Sequence, residues 1–313
     1  MSYYLREWRS LQLGVAVASC VFPILWIFLP ESPRWLLSKG EVEKGMKISD
    51  TIARRNGRKL PDDIWNQALI KDGNEMTEAH IYPHELFKRR LMKLITLRMM
   101  FIWFVCSLVY YGLSLNVGSL AGDTRINNAL GGLCEILSCP LAIFTIDRFG
   151  RRPVLFIILI AAGFACIFST AANYFSSADS ALGVVGTIFA LLGKLGISSA
   201  FAIIYNYTAE LFPTVLRATA VGTGSMSARL GGICSPLVIL IQYSLPWLPG
   251  VLFGALSLLA AAMCLYLPET KDAQLTTTLE DAEIFYAKAR NLANPKKSNN
   301  DCHEMEKLDE NLM

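Results

Sequence analysis

Residues 147–174 read "DRFGRRPVLFIILIAAGFACIFSTAANY". From Val154 to Tyr174 no side chain is charged. A helix crossing the hydrocarbon core needs roughly 20 mostly apolar residues. The run meets that need, and the charged "DRFGRR" ahead of it marks a membrane face. Within lipid a backbone must satisfy its own polar groups, which a helix does. The stretch predicts an all-α integral membrane protein.

Six more runs have the same character, at about 11–29, 94–116, 127–146, 181–205, 214–242 and 246–267. About seven transmembrane helices follow. The chain of 313 residues is 53% hydrophobic and 18% charged, with a mean hydropathy of +0.39. A soluble domain carries about a quarter charged residues. Segment 11–29 has no cleavage site and no soluble domain after it, so it is not a secretory signal.

Charge placement sets the topology. The formal net charge is only +3, yet its distribution is uneven. Residues 31–93 hold many lysines and arginines, including "ARRNGRK" and "KRR". Loop 147–153 adds Arg148, Arg151 and Arg152, whereas the loops at 117–126, 175–180 and 243–245 hold only Arg125. Basic residues gather on the cytoplasmic side. This predicts a remnant of an extracellular loop at 1–10, a span at 11–29 and a cytoplasmic loop at 30–93. A six-helix bundle at 94–267 and a cytoplasmic tail at 268–313 complete the order. Within the long loop, "EVEKGMKISDTIARRNG" spaces its apolar residues for a helix that Gly57 stops. "PDDIWNQALI" offers a second start. The tail is polar, of mixed charge and partly disordered by composition. Seven spans with an inner C-terminus put Met1 outside, and "MSYYLREWRS" reads as loop. The expectation is a truncated chain.

Several chemistries lack support. His80 and His84 are four apart, but Pro83 interrupts the helix a metal pair needs. Seven of the eight cysteines lie in apolar runs, and none forms a C-x-x-C pair. "GTGSMS" at 222–227 lacks the third glycine of a dinucleotide site. Gly193-Lys194 precedes Leu195, so it is no phosphate loop. No nucleophile–base arrangement stands out. The reading is a protein that is not an enzyme, with no metal, cofactor or nucleic-acid partner.

Four motifs lie at the predicted inner face: "PESPRW" at 30–35, "DRFGRR" at 147–152, "AELFPTVLR" at 209–217 and "PETK" at 268–271. "DRFGRR" resembles the loop motif of the major facilitator superfamily. The other three together resemble its organic cation/carnitine/organic anion transporter family, as does "YYLREWRSLQL" at 3–13, which looks like the entry to the sixth span. The resemblance runs from residue 3 to about 290 and leaves the first five helices uncovered. One departure is Ile143, where the loop motif usually has glycine. The resemblance implies a major-facilitator-type helix bundle and a plasma-membrane carrier working by alternating access. It also implies a cytoplasmic gate in which Asp147, Arg148, Gly150, Arg151 and Arg152 meet Glu210 and Arg217.

Three charges fall well inside spans: Glu135, Lys194 and Arg229. An ionisable group at that depth is costly and usually faces a cavity. Each has either a substrate or coupling role or a polar contact between helices. In "FIWFVCSLVYYGLSLN", Trp103 and Tyr110 are seven apart and share a helix face, with Tyr111 beside them. By resemblance such an aromatic pair lines the central cavity, and Glu135 matches an acidic position. An aromatic wall suits quaternary ammonium. By the same resemblance, members taking simple organic cations have Asp where this chain has Arg229, and an acid where it has Ala202. Arginine suits a carboxylate. The expected substrate is a carnitine-like zwitterion or another small organic ion, with the coupling ion, Na+ or H+, left open. A sugar carrier of the same superfamily is the alternative. It should be rich in Gln and Asn at mid-membrane, yet Gln242, Asn116, Asn127 and Asn128 lie near helix ends. A truncated chain that does not transport is the other alternative.

Overall fold

The computed structural model describes residues 7–20, 23, 30–31, 33, 36, 41–59, 84–176, 181–271, 273, 276 and 279–293. Residues 21–22 and 24–29 of the 11–29 run, the "PDDIWNQALI" segment, His80 and the tail beyond 293 lie outside them. The chain divides into two units, Met1–His80 and Ile81–Met313.

The first unit contains α1 (Trp8–Ser19) and α2 (Val42–Arg55). Arg54 and Arg55 in the last turn of α2 complement the helix dipole. Arg54 also pairs with Asp50 one turn back. Gly57 stands just past the helix with φ of 67°, a left-handed conformation that glycine takes without strain.

The second unit begins with the short α3 (Glu85–Lys88). Six long helices follow: α4 (Arg90–Leu115), α5 (Thr124–Phe149), α6 (Arg151–Tyr174), α7 (Ala181–Leu211), α8 (Arg217–Leu240) and α9 (Leu248–Cys264). The helix α10 (Leu279–Ala293) comes last. Five helices among the described residues are long and apolar enough to cross a membrane, and α9, with 17 residues, is shorter. That length sits at the low edge of what spans a bilayer. The run near 214–242 starts its helix only at Arg217, because Thr214–Leu216 form a turn after Pro213.

Local signals explain several boundaries. Asp123 caps α5, its carboxylate accepting from the Arg125 N–H at 2.7 Å. Gly150 ends α5 and opens α6 at φ of 95°. Pro249 sits in the first turn of α9, where its missing N–H costs nothing.

The helices pack in two broad groupings, α4 along α8, and α6 between α7 and α9, with α5 against α7. Trp103, Tyr207, Phe212, Phe253 and Ile102 are fully buried where they meet. Small residues set the close approaches. A Cβ on Gly231 of α8 would lie 2.3 Å from the Phe104 carbonyl oxygen of α4. Gly163 of α6 and Gly254 of α9 face one another, and a Cβ on either would lie about 3 Å from the other's carbonyl oxygen. The outward sides of α5 and α8 are the least covered, with Ile136, Phe144, Met226 and Ile233 exposed.

Gly231 and Gly222 lie on one helix, but a Cβ on Gly222 meets nothing within 4 Å. We predict that Gly231→Ala lowers the melting temperature of the purified protein, by an overpacking cost of about 1–3 kcal/mol. Gly222→Ala should leave it unchanged. Equal melting temperatures for the two variants would refute the close contact of α4 with α8.

Candidate functional site

Three helices bring a buried polar cluster together. From α4, the Tyr110 hydroxyl donates to Glu135 Oε1 of α5 at 2.9 Å. From α7, Lys194 Nζ lies 3.1 Å from the same oxygen. The Lys194 side chain is 9% exposed, that of Glu135 40%. The ammonium is therefore shut in and depends on the carboxylate, while the carboxylate keeps an open side. Removing one partner of a buried ion pair typically costs 3–5 kcal/mol. Gly131 gives Lys194 room: a Cβ there would lie 3.0 Å from its Nζ. Ser138 and Ser199 extend the polar contact between α5 and α7, the Ser199 hydroxyl donating to the Ser138 carbonyl at 3.3 Å.

An aromatic wall adjoins the cluster. Phe201 of α7 lies 5.9 Å, centroid to centroid, from both Trp103 and Tyr110. Tyr205 meets Trp103 edge-on at 4.4 Å, and Tyr111 meets Tyr110 at 5.3 Å. Trp103 is fully buried. Its indole N–H donates to Thr208 Oγ1 at 3.0 Å, and Gly224 lies against the ring. Tyr111 is partly exposed beside Gly232. So Tyr110, Glu135 and Lys194 touch directly, and Tyr111 and Trp103 join through ring contacts. Gly131, Phe201, Tyr205 and Thr208 belong to this group although motif reading passes over them. Their signal is the spacing on α7, where Phe201, Tyr205 and Thr208 fall on one face with Lys194 a further turn or two before.

Arg229 is not in that group. It is exposed on α8, and among the described residues it has no hydrogen-bond or ion-pair partner. Its depth is nevertheless comparable. Arg229 is twelve residues from Arg217 (229 minus 217), and Glu135 twelve from Asp147 (147 minus 135). Both are about 18 Å from the same end of the bundle at 1.5 Å per residue.

That end carries a second polar group. The Glu269 carboxylate, in the segment after α9, caps the start of α6. It accepts from the Arg151 N–H at 2.9 Å and the Arg152 N–H at 3.0 Å. It accepts as well from the N–H groups of Thr270 and Lys271. A negative group at a helix N-terminus meets orphan donors and the positive end of the dipole. Gly150 is needed twice here, for its φ and because a Cβ would lie 3.1 Å from that carboxylate. Arg151 donates to Glu210 Oε1 of α7 from both Nε at 3.1 Å and Nη2 at 2.8 Å, a charge-assisted pair. Thr270 Oγ1 donates to the other side of Glu210 at 2.8 Å.

Around this centre Lys271 donates to the Arg148 carbonyl at 2.9 Å, and Tyr207 to the Pro268 carbonyl at 2.5 Å. The Arg152 guanidinium bonds the Leu265 carbonyl. The Arg148 guanidinium lies over Phe149. Asp147 is exposed and has no partner among the described residues. Arg217 reaches only Thr214, at 3.4 Å, and its Nε is buried without a partner. Glu269 is the residue that sequence reading underrated. "PETK" drew attention as a motif, but nothing in it said that its carboxylate would cap another helix.

No group of three or more His, Cys, Asp or Glu among the described residues could hold a metal ion.

Comparison with known proteins fits this architecture. The family model "Sugar (and other) transporter" matches residues 1–282. "Solute carrier family 22 member 15-like" of Xenopus laevis is 37% identical over 287 residues, covering 90% of this chain and 57% of that protein. "Solute carrier family 22 member 13" of Homo sapiens is 38% identical, covering 91% and 50%. "Organic cation/carnitine transporter 2" of Rattus norvegicus is 33% identical, covering 89% and 49%. The chain spans about half the length of these curated relatives. Among solved structures, the proton:xylose symporter XylE bound to 6-bromo-6-deoxy-D-glucose superposes with a TM-score of 0.61. The two are 20% identical over 87% of this chain and 58% of that one, which is a likeness of fold. These relatives and this neighbour are transporters, not enzymes. The apolar helices, the motifs and the family match agree that this multi-pass membrane chain belongs to the sugar (and other) transporter family of the major facilitator superfamily, on its organic cation/carnitine transporter branch.

Proposed function

We propose that the chain forms the substrate-binding and gating half of a carrier that moves small organic ions by alternating access. The preferred substrate is a carnitine-like zwitterion or an organic anion. The observation that supports this most is the carboxylate oxygen shared by Tyr110 and Lys194. An ion pair in a partly open site can be exchanged for a ligand. The ammonium of a zwitterion competes with Lys194 for Glu135. Its carboxylate then takes Lys194, or Arg229 at matching depth. The aromatic rings of Tyr110 and Tyr111 face the quaternary end by cation–π attraction. A simple cation leaves Lys194 without a counter-charge, so the zwitterion is favoured. The name of the rat relative, an organic cation/carnitine transporter, is consistent with this reading.

The second polar group acts as the gate. Arg151, Glu210 and Glu269 join the α5–α6 turn, the end of α7 and the segment after α9. Such a tie lets one bundle rock as a body around a central site. By the distribution of basic residues this end and the C-terminus face the cytoplasm, at the plasma membrane.

Uptake of radiolabelled carnitine, a simple organic cation and a dicarboxylate tests the reading, in cells making the protein that contains this chain. At equal surface expression, Lys194→Met and Glu135→Gln should each lower carnitine uptake at least tenfold. Arg229→Asp should turn the profile toward the cation. Unchanged profiles in all three variants would sink the substrate assignment. For the gate, Glu210→Gln should expose a cysteine placed at Leu211 to aqueous thiol reagent severalfold faster. Asp147→Asn should not, since Asp147 is outside the tie. Equal rates would refute the gate.

A further inference from the structure

A cavity of about 220 Å³ opens at the far end of the bundle from Arg151 and Glu210. It lies where the ends of α4 and α6 meet the start of α9. Leu113, Cys166 and Phe253 form its apolar floor. Phe253 is held in place by Gly112, where a Cβ would lie 2.3 Å from the ring. Above the floor the lining is polar, with the amides of Asn116, Asn173 and Gln242 and the hydroxyls of Ser169 and Thr170. Trp247 and Tyr174 stand at the rim, 41% and 60% exposed. No lining residue is Asp, Glu, Lys, Arg or His.

Some of these groups are unspent. Asn173 donates to Ser169 Oγ at 3.4 Å, and its carbonyl oxygen accepts nothing among the described residues. The Gln242 amide and the Trp247 indole N–H have no hydrogen-bond partner among the described residues either. The hydroxyls of Ser169 and Thr170 donate to the Gly186 and Cys166 carbonyls, both at 2.8 Å, which leaves the Thr170 oxygen as an acceptor with no partner among the described residues. The site thus offers two carboxamides, a hydroxyl acceptor, an indole donor and an aromatic face, with no formal charge. A charged ligand would lose its hydration here without a counter-ion. A neutral one would satisfy groups that lack partners. The volume is that of about seven waters and falls below the range of about 300–1,000 Å³ for drug-sized pockets.

We propose that this cavity binds an uncharged, hydroxyl-rich molecule of monosaccharide size or smaller. The site is separate from the Tyr110–Glu135–Lys194 cluster and does not depend on the function assigned to that cluster. The loops around it are those predicted to face outward, so the ligand comes from the outside medium. Bound there, it braces the end of α4, which also carries Tyr110, against α6 and α9.

Saturation-transfer NMR on the protein in lipid nanodiscs tests this, with D-glucose as the neutral probe and D-glucuronate as the same ring bearing a charge. A saturable D-glucose signal is expected, with none for D-glucuronate. Gln242→Leu and Trp247→Ala, both outside the long helices and partly exposed, should each weaken the D-glucose affinity tenfold or more. Glu135→Gln should leave it unchanged. Absence of a saturable signal would mean that the cavity holds only water, and would overturn the proposal. So would D-glucuronate binding as tightly, an affinity indifferent to both rim variants, or its loss in Glu135→Gln, which would put the sugar in the other site.

Discussion

A charge that water cannot reach must be paired, and in this bundle that requirement falls on one carboxylate oxygen. Glu135 Oε1 receives Lys194 and Tyr110 within 3.1 Å. Three helices, α4, α5 and α7, are fixed in register by that meeting. Without Glu135, the Lys194 ammonium would be buried and alone, a state that costs several kcal/mol. A Cβ at Gly131 would crowd it, 3.0 Å from its Nζ. The aromatic rings then follow, because Phe201 packs one turn or two beyond Lys194 and bridges Tyr110 to Trp103. The polar pair thus decides which faces of α4 and α7 meet.

The other end of the bundle solves the same problem with different parts. Glu269 gives its charge to the first N–H groups of α6, and Arg151 gives its charge to Glu210. These groups sit at helix ends, where orphan backbone donors are available. Elsewhere in the bundle glycine meets backbone, as at Gly231 with Phe104 and Gly163 with Gly254. Such contacts hold helices close without interlocking long side chains. The bundle is tied by polar contacts at two depths.

Much of this was legible in the sequence. The long uncharged runs announced the helices, because hydrocarbon tolerates little else. The charges in mid-span named Glu135 and Lys194 before their contact was known. Sequence could not pair them, since α5 and α7 are distant in the chain and only packing brings them together. Arg229 carries the same sequence signal as Lys194, yet it stands exposed on α8. Hydropathy gives depth and says nothing of the side of the helix on which a partner stands. The inner motifs marked the right loops, but the spacing in "PETK" could not disclose that Glu269 caps α6. Trp103 was legible as sharing a helix face with Tyr110, and only the family resemblance tied that face to a cavity. Its full burial and its bond to Thr208 depend on Gly224, whose role no local pattern reveals.

The most direct measurement is a double-mutant cycle on carnitine binding. The affinity of the protein in nanodiscs would be measured for the parent, Glu135→Gln, Lys194→Met and the double variant. If substrate charge replaces the Glu135–Lys194 pair, each single change should cost at least tenfold, about 1.4 kcal/mol. The double variant should lose much less than the sum, because the two residues act as one exchangeable unit. Strictly additive losses, or single variants that bind as the parent does, would make the pair a structural tie and place the substrate elsewhere.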